Sequence, residues 1–535
     1  MWVSQEVRKN LLLPETERWP LDPDKPVIEL IDVSVSFGDK KVLDGLSLQI
    51  IPGLTTVVVG RSGSGKSVLV KLMMGLLKPD RGTVKLFGRD LKEVSPTEVL
   101  ELRKRLGMLF QNYALFDALP LEENVGFTLT ENSNIPRRDV MKLSHELIRI
   151  LGLGGSEKLL PSELSGGMKK RVSLARALVA NPEVVLFDEP TTGLDPIMIE
   201  KVDEMIGLAK QQYQITSAII SHDMASTKRL ADRVAFLHDG KIIFYGTYDQ
   251  FIDSPLEPIR KFVEGAQTSR LSKDSAVSTV EAEPIVDEPI VELVDVYKTF
   301  GNKQVLRGIS LPIYPKKITV LIGASGSGKS VIIKHIMGLF KPTSGEIKVF
   351  GKPIGTMDEF QLNEVRRDFG LLFQHAALLD WLTVEENVAF PLRERKVPRG
   401  EIKDRVADIL QRTFIADIKD RMPGEISEGQ KKRVGLARAI VTRPKIMIYD
   451  EPTTGQDPLR TRDVDDMIQS AQQQFDITSI VISHDMASTF RIAHMIALLH
   501  QGEIAAYGTP AQVRASQDPH VQHFIHAGSV EAHSQ

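Results

Sequence analysis

The sequence predicts an α/β protein made of two tandem copies of one domain, and three observations carry that prediction. A glycine-rich loop, Gly60-Arg61-Ser62-Gly63-Ser64-Gly65-Lys66-Ser67, returns as Gly323-Ala324-Ser325-Gly326-Ser327-Gly328-Lys329-Ser330, with the two lysines 263 residues apart. Later landmarks keep the register: Gln111 and Gln374 are also 263 apart, and Glu189 and Glu451, like His222 and His484, are 262 apart. Each loop lies between a short β-branched run and an apolar helical stretch, the strand–turn–helix pattern of a covered, largely parallel sheet. A spacing held this closely marks an internal duplication.

The elements follow in the same order in each half. Thr55–Val59 and Ile318–Ile322 predict buried strands, and Val68–Met74 and Val331–Met337 the helices after the loops. Val184–Phe187 and Ile446–Tyr449 are further strands that lead into Asp-Glu, and Ala218–Ile220 and Ile480–Ile482 lead into Ser-His-Asp. The segments between Gln111 and Ser165, and between Gln374 and Ser427, turn helical, most clearly at Met141–Leu151. The predicted boundaries are a proline-punctuated leader (1–26), a first domain (27–264), a polar linker (265–288), a second domain (289–528) and a short tail (529–535). A coil of about 24 residues spans roughly 25–30 Å.

Composition narrows the chemistry. The chain of 535 residues is 42% hydrophobic and 26% charged with a formal net charge of −3, so no global basic field points to nucleic acid. It has no cysteine, which excludes disulfides, thiolate zinc sites and cysteine-held clusters. No apolar run approaches the ~18 residues that a membrane-spanning helix needs, and the leader lacks the apolar core of a signal peptide. These features predict a cytoplasmic location, with a peripheral seat on a membrane protein left open.

Both loops fit G-x-x-x-x-G-K-[ST], in which backbone N–H groups and the following helix N-terminus cradle phosphates. Gly60, Ser62, Gly63 and Gly65, and in the second copy Gly323, Ser325, Gly326 and Gly328, form the cradles. Lys66 and Lys329 reach for the β/γ-phosphates of ATP, and the Ser67 and Ser330 hydroxyls for Mg²⁺. Asp188 and Asp450, at strand ends, suit the same ion, and the next residues, Glu189 and Glu451, suit the orientation of an attacking water. His222 and His484 sit in identical Ser-His-Asp-Met-Ala-Ser-Thr heptads after strands, where an imidazole can stabilise developing charge on a γ-phosphate. The remaining histidines, such as His145, His238, His335, His494 and His500, show no metal spacing and read as surface or packing residues.

Leu164-Ser165-Gly166-Gly167-Met168 and Ile426-Ser427-Glu428-Gly429-Gln430 each precede a basic helical run. With these in place each half resembles the nucleotide-binding domain of the ABC family. The order is glycine loop, Q-loop glutamine (Gln111, Gln374), signature (Ser165, Gly166, Gly167; Ser427, Gly429), Asp-Glu, D-loop and switch histidine. The resemblance implies tandem P-loop NTPase domains, each with a RecA-like α/β core, an antiparallel β subdomain and a helical subdomain. It implies head-to-tail pairing of the two domains, with each ATP between one glycine loop and the other signature, Gln111 and Gln374 near the metal, and Phe37 and Phe300 where the family stacks an aromatic ring on adenine. Glu428 departs from the usual first signature glycine and, in such a pairing, would face the ATP held by Lys66.

A narrower resemblance, to the ATPase subunits of MCE-type (maintenance of lipid asymmetry) phospholipid transporters, rests on Phe373-Gln374-His375-Ala376-Ala377-Leu378-Leu379, the stretch Val384–Glu394, Met168 in place of the usual glutamine, the two heptads, Gly455-Gln456-Asp457-Pro458 and the segment Asp518–Ile525. It implies a motor on the cytoplasmic face of the inner membrane, docked on a permease with an MCE-domain protein and moving phospholipid or another hydrophobic cargo. Leu115, Phe116 and Leu119, with Leu378, Leu379 and Trp381, would line the docking grooves. The alternatives are the tandem ATPase of another small-molecule transporter, such as a sugar importer, and a soluble ABC translation factor. The short acidic linker fits poorly with the last, since a phosphate backbone is bound by lysine and arginine.

Overall fold

A computed structural model describes residues 25–38, 40–111, 113–164, 166–213, 215–267, 288–374 and 376–527. The leader up to residue 24, residues 268–287 of the expected linker and the tail lie outside the described residues, as do Ser165 and His375. The chain divides into two compact units, the first built from the residues up to Leu194 and from Met198–Ala266, the second from Asp195–Ile197 and the residues from Gln267 on.

Among the described residues the first unit holds ten strands: β1 (Ile28–Phe37), β2 (Lys40–Ile50), β3 (Thr55–Gly60), β4 (Arg81–Leu86), β5 (Arg89–Asp90), β6 (Leu106–Leu109), β7 (Val184–Asp188), β8 (Thr216–Ile220), β9 (Arg233–His238) and β10 (Lys241–Gly246). They form two sheets, an antiparallel one ordered β2-β1-β4-β5 and a six-stranded one ordered β10-β9-β3-β8-β7-β6. In the larger sheet only the β9–β10 pair is antiparallel. All six residues of β3 and all five of β8 are buried, as expected for strands covered on both faces, whose sequences read as unbroken apolar runs. β1 and β2 alternate instead, because one face of their sheet packs on the core through Ile28, Leu30, Val33 and Leu46 while the other meets solvent.

The second unit repeats this plan with β11 (Val291–Phe300), β12 (Lys303–Ile313), β13 (Ile318–Gly323), β14 (Ser344–Val349), β15 (Lys352–Pro353), β16 (Phe369–Leu372), β17 (Ile446–Asp450), β18 (Thr478–Ile482), β19 (Met495–His500) and β20 (Glu503–Gly508). Its sheets run β12-β11-β14-β15 and β16-β17-β18-β13-β19-β20. The strand carrying the glycine loop is central in both large sheets, so its C-terminal end lies beside that of β8 or β18, with that of β7 or β17 one strand further on. Ligands of open α/β sheets bind at the carboxyl ends of the strands.

Each unit also carries a helical part. Helices Leu121–Asn132 and Arg137–Ile150 close over a small core of Val125, Val140, Leu147 and Ile148 against Val172 and Ala175 of helix Gly166–Leu178. A buried asparagine rivets the loop before this layer: Asn124 Oδ1 accepts from the Phe116 N–H at 2.8 Å, and its amide donates to the Phe116 and Leu119 carbonyls. Asn387 does the same for Leu379 and Leu382.

The elements begin and end slightly differently from the sequence expectation. The helices after the loops start at Lys66 and Lys329, two residues early, because Gly65 (φ 105°) and Gly328 (φ 112°) turn the chain directly into the first helical residue. The last helix of the first unit, Glu257–Gln267, runs past the boundary expected at residue 264; Lys261–Glu257 and Arg260–Glu264 pairs brace it on its exposed face.

Candidate functional site

The glycine loops are shaped by their glycines. A Cβ on Gly60 would press on the Leu237 carbonyl oxygen, and one on Gly323 on that of Leu499, so neither position has room for a side chain. Gly63 and Gly326 (both φ 81°) adopt the left-handed backbone that favours glycine. Lys66 and Lys329 are buried, and each folds its ammonium back over its own loop, onto the carbonyls of Gly60 and Arg61 at 2.8 and 2.9 Å and of Gly323 and Ala324 at 2.7 and 3.1 Å. Ser64 and Ser327 each keep a buried hydroxyl without a protein partner. Ser62 and Ser325 lie in the same loops, and Ser67 and Ser330 are exposed residues of the first helical turn. An orphaned hydroxyl, a buried ammonium and a helix N-terminus together suit a polyphosphate.

At the end of β7 the chain makes a strained turn. Glu189 has φ 48° and Glu451 has φ 49°, left-handed values that cost energy for a residue with a Cβ and that cluster at functional sites. The turn aims the carboxylate. One Glu189 oxygen accepts from Thr192 Oγ1 at 2.8 Å and from Gln111 Nε2 at 3.3 Å, and the other faces His222 Nδ1 at 3.5 Å. The second copy repeats the pattern, with Thr454 Oγ1 at 3.2 Å and His484 Nδ1 at 3.6 Å from Glu451. The structure thus gathers Gln111, Glu189 and His222, expected from sequence, around one carboxylate. Thr192 and Thr454 were not expected; the repeated Asp-Glu-Pro-Thr-Thr was their signal. Gln374 is half-buried in the second copy.

Burial alone would raise the Glu189 carboxyl, but the contact and charge of His222, with Lys66 and Thr192, outweigh it and hold the group at about 2 against an ordinary 4.5. Burial would lower His222, and Glu189 reverses that and raises it. Glu451 is lowered in the same way, by His484 and Lys329 against its burial. A depressed carboxyl contributes stability above its unfolded value that is lost as pH falls through the folded one. For Glu189 the contribution is about 3 kcal/mol, lost between roughly pH 4.5 and 2. In nucleotide-free protein the difference in urea midpoint between the parent and Glu189→Gln should therefore stay level from pH 6 to 5 and shrink below 4.5. A difference that does not shrink would assign the loss to other groups.

Asp188 and Asp450 behave oppositely. Burial, then the adjacent glutamate, raises both. A carboxylate held up by a negative neighbour is relieved by a cation, so these residues fit Mg²⁺. Among the described residues no cluster of three histidine, aspartate or glutamate side chains forms, so serine hydroxyls and phosphate oxygens would have to complete an oxygen shell.

The two signatures differ. Ser427 caps helix Glu428–Ile440, accepting from the Gln430 N–H while the Gln430 side chain accepts from the Ser427 N–H at 2.9 Å. The first copy has Met168 where Gln430 stands, a thioether in place of an amide and a weaker acceptor than an amide oxygen. Gly167 is buried and Gly429 half-buried, while Gly166 is exposed. Glu428 is 60% exposed and turns its carboxylate to Lys431 Nζ at 2.7 Å. Phe37 and Phe300 end β1 and β11 with 54% and 42% of their surface exposed, available for stacking rather than committed to the core. Of the expected groove residues, Leu115 and Leu378 pack on apolar clusters, while Phe116 and Trp381 are exposed, Trp381 at 72%.

A buried cluster behind each site was also not anticipated. Asp203 accepts from Ser226 Oγ and Arg229 Nε, both at 2.8 Å, and Asp465 accepts from Ser488 Oγ and Arg491 Nη1, both at 2.5 Å. These contacts tie helices Pro196–Tyr213 and Pro458–Phe475 to the short helices that follow His222 and His484.

The family profile for "ABC transporter" matches residues 43–192 and 306–454, one stretch in each unit. The chain is 30% identical over 92% of its length to a protein of Bacillus cereus described as an ABC transporter ATP-binding protein, of which it covers 93%. It is 29% identical, over 88% of each chain, to a protein of like description from Caldanaerobacter subterraneus subsp. tengcongensis. It is 27% identical to the glutathione import ATP-binding protein GsiA of Escherichia coli (strain K12), over 90% of this chain and 85% of that one. ATP-binding proteins of this kind work with membrane permease subunits, and no helix among the described residues is long and apolar enough to cross a membrane. The chain belongs to the ABC transporter family, as an ATPase that carries two of the family's ATP-binding domains in one polypeptide.

Proposed function

We propose that both copies bind ATP with Mg²⁺ and hydrolyse it to drive a separate membrane permease, and that the cargo is phospholipid or another hydrophobic molecule. The observation that carries the hydrolytic assignment is the strained glutamate, its carboxylate fixed between threonine and histidine in both units. A carboxylate held ionised in this way can orient and polarise a water for attack on a phosphoryl group. The nearby imidazole can stabilise charge on the departing oxygens. Lys66, Lys329 and the loop N–H groups hold phosphates, and the bound magnesium would neutralise their charge. We assign Ser67, Asp188 and Gln111, and Ser330, Asp450 and Gln374, to that ion, and place Ser165, Gly166, Gly167, Ser427 and Gly429 in nucleotide recognition.

The hydrophobic-cargo reading rests on the two Ser-His-Asp-Met-Ala-Ser-Thr heptads and the Met168 signature, which resemble the ATPases of MCE-type transporters. It implies an MCE-domain partner and a seat on the cytoplasmic membrane face. A second reading, a small-molecule importer, is favoured by the full-length similarity to the glutathione import protein. Both readings share the permease. Affinity purification from detergent-solubilised membranes should recover an integral membrane protein, and Phe116→Glu with Trp381→Glu, at exposed positions, should release it while leaving the fold intact. Co-purified phospholipid supports the first reading, and ATP-dependent uptake of glutathione or a peptide supports the second. Unchanged recovery by the double variant would move the docking surface elsewhere.

A further inference from the structure

Lys170 is the second residue of a Lys-Lys-Arg run that reads, in sequence, as a solvated basic face. Instead it is 1% exposed, among the largest fully buried side chains of the described residues. A lysine is almost never buried without a compensating set of acceptors. Here Nζ donates to the backbone carbonyl of Gln111 at 3.1 Å and to that of Glu189 at 3.3 Å, and it lies 5.1 Å from the centre of the Tyr113 ring. Lys432, at the corresponding place in the second unit, is 5% exposed and donates to the carbonyl of Pro452, the residue after Glu451. Burial lowers both ammonium groups to about 8, so each remains largely protonated at pH 7.

The acceptors chosen are informative. The Glu189 backbone is strained, and a strained residue persists only where its surroundings over-determine it. Its N–H is held by the Ile220 carbonyl at 3.0 Å and its side chain by Thr192, and Lys170 holds its carbonyl. Glu451 has the same N–H bond, to Ile482 at 3.0 Å, and the same threonine. The ammonium is carried by the helix that begins in the signature, Gly166–Leu178 or Glu428–Ile440. In the first unit it also grips the backbone of Gln111, whose side chain reaches the same carboxylate at 3.3 Å.

We propose that Lys170 and Lys432 are positioning residues for hydrolysis: each buried ammonium clamps the backbone at the glutamate turn, fixes the aim of the carboxylate, and ties that aim to the position of the signature helix. The proposal rests on Glu189 and Glu451 being the water-orienting groups. Neither lysine touches nucleotide in this role, so losing one should impair the chemical step more than binding.

The test uses the full chain with Lys170→Met and Lys432→Met combined. ATPase kcat should fall by about 10-fold or more, while KM and the Kd of a fluorescent ATP analogue change by less than about twofold. Lys170→Arg with Lys432→Arg, which keeps charge and donors, should recover part of kcat. A folded methionine variant with unchanged kcat overturns the proposal, as does one whose KM rises while kcat holds. If the methionine variant does not fold, Lys170→Gln with Lys432→Gln, one atom too short to reach the carbonyl, is judged by the same readings. Glu189→Gln with Glu451→Gln runs in parallel. If that pair keeps full turnover, the assignment of the glutamates fails; if it loses turnover and the lysine variants do not, only the clamp fails.

Discussion

ATP turnover by the Glu189→Gln, Glu451→Gln double variant is expected to fall by about 100- to 10,000-fold, the range that a positioned general base contributes. The amide keeps the size of the carboxylate and can still meet Thr192 and Thr454, so the turns and nucleotide binding should survive. What it loses is the negative charge that polarises water. Each single variant should also lose a measurable share of turnover, because both copies retain the carboxylate, the histidine and the threonine. Steady-state phosphate release, measured beside binding of a fluorescent ATP analogue, separates the steps. Full activity in either single variant would show that its copy does not hydrolyse.

The largest effect on stability is expected at the buried aspartates. Asp203→Ala or Asp465→Ala should destabilise its unit by about 3 kcal/mol, because each leaves an arginine and a serine hydroxyl facing a gap where a paired carboxylate stood. The asparagine variants should cost less. Burial lifts both carboxyls to about 7 against the pull of Arg229 and of Ser488 and Arg491, so the neutral form is already accessible and an amide imitates it. Chemical denaturation of the alanine and asparagine variants checks the order. Equal stability of alanine variant and parent would mean that the arginine finds water without cost.

The catalytic outline was legible because it is written in spacing. Glycines before lysine, an acidic pair after an apolar strand and a histidine after another are local patterns, and duplication removed the chance reading of each. The sheets were legible for the same reason: β3, β8, β13 and β18 are buried at every position and read as short β-branched and apolar runs interrupted only by threonine and serine. What spacing conceals is direction. Lys169, Lys170 and Arg171 are equivalent in a composition count, yet only the middle one turns wholly inward. Leu115 and Phe116 are adjacent and equally apolar, yet the first packs on the helical core while the second faces outward, because Asn124 pins the backbone between them and the next helix. The pairing of Asp203 with Ser226 and Arg229 joins residues 23 and 26 positions apart, beyond the reach of helical periodicity. The lateness of the helix end at Gln267 has a smaller cause: nothing in Gly265-Ala266-Gln267 breaks a helix strongly enough to stop it.

The reciprocal cap at Ser427 and Gln430, and the methionine that replaces that glutamine at residue 168, carry a consequence for heredity. Two identical subunits encoded by one gene must share every mutation, so neither can specialise alone. A duplicated reading frame lifts that constraint, and glutamine in one copy against methionine in the other is a difference that two identical subunits could not hold: one half can become a steady metronome while the other is tuned, residue by residue, to a different tempo.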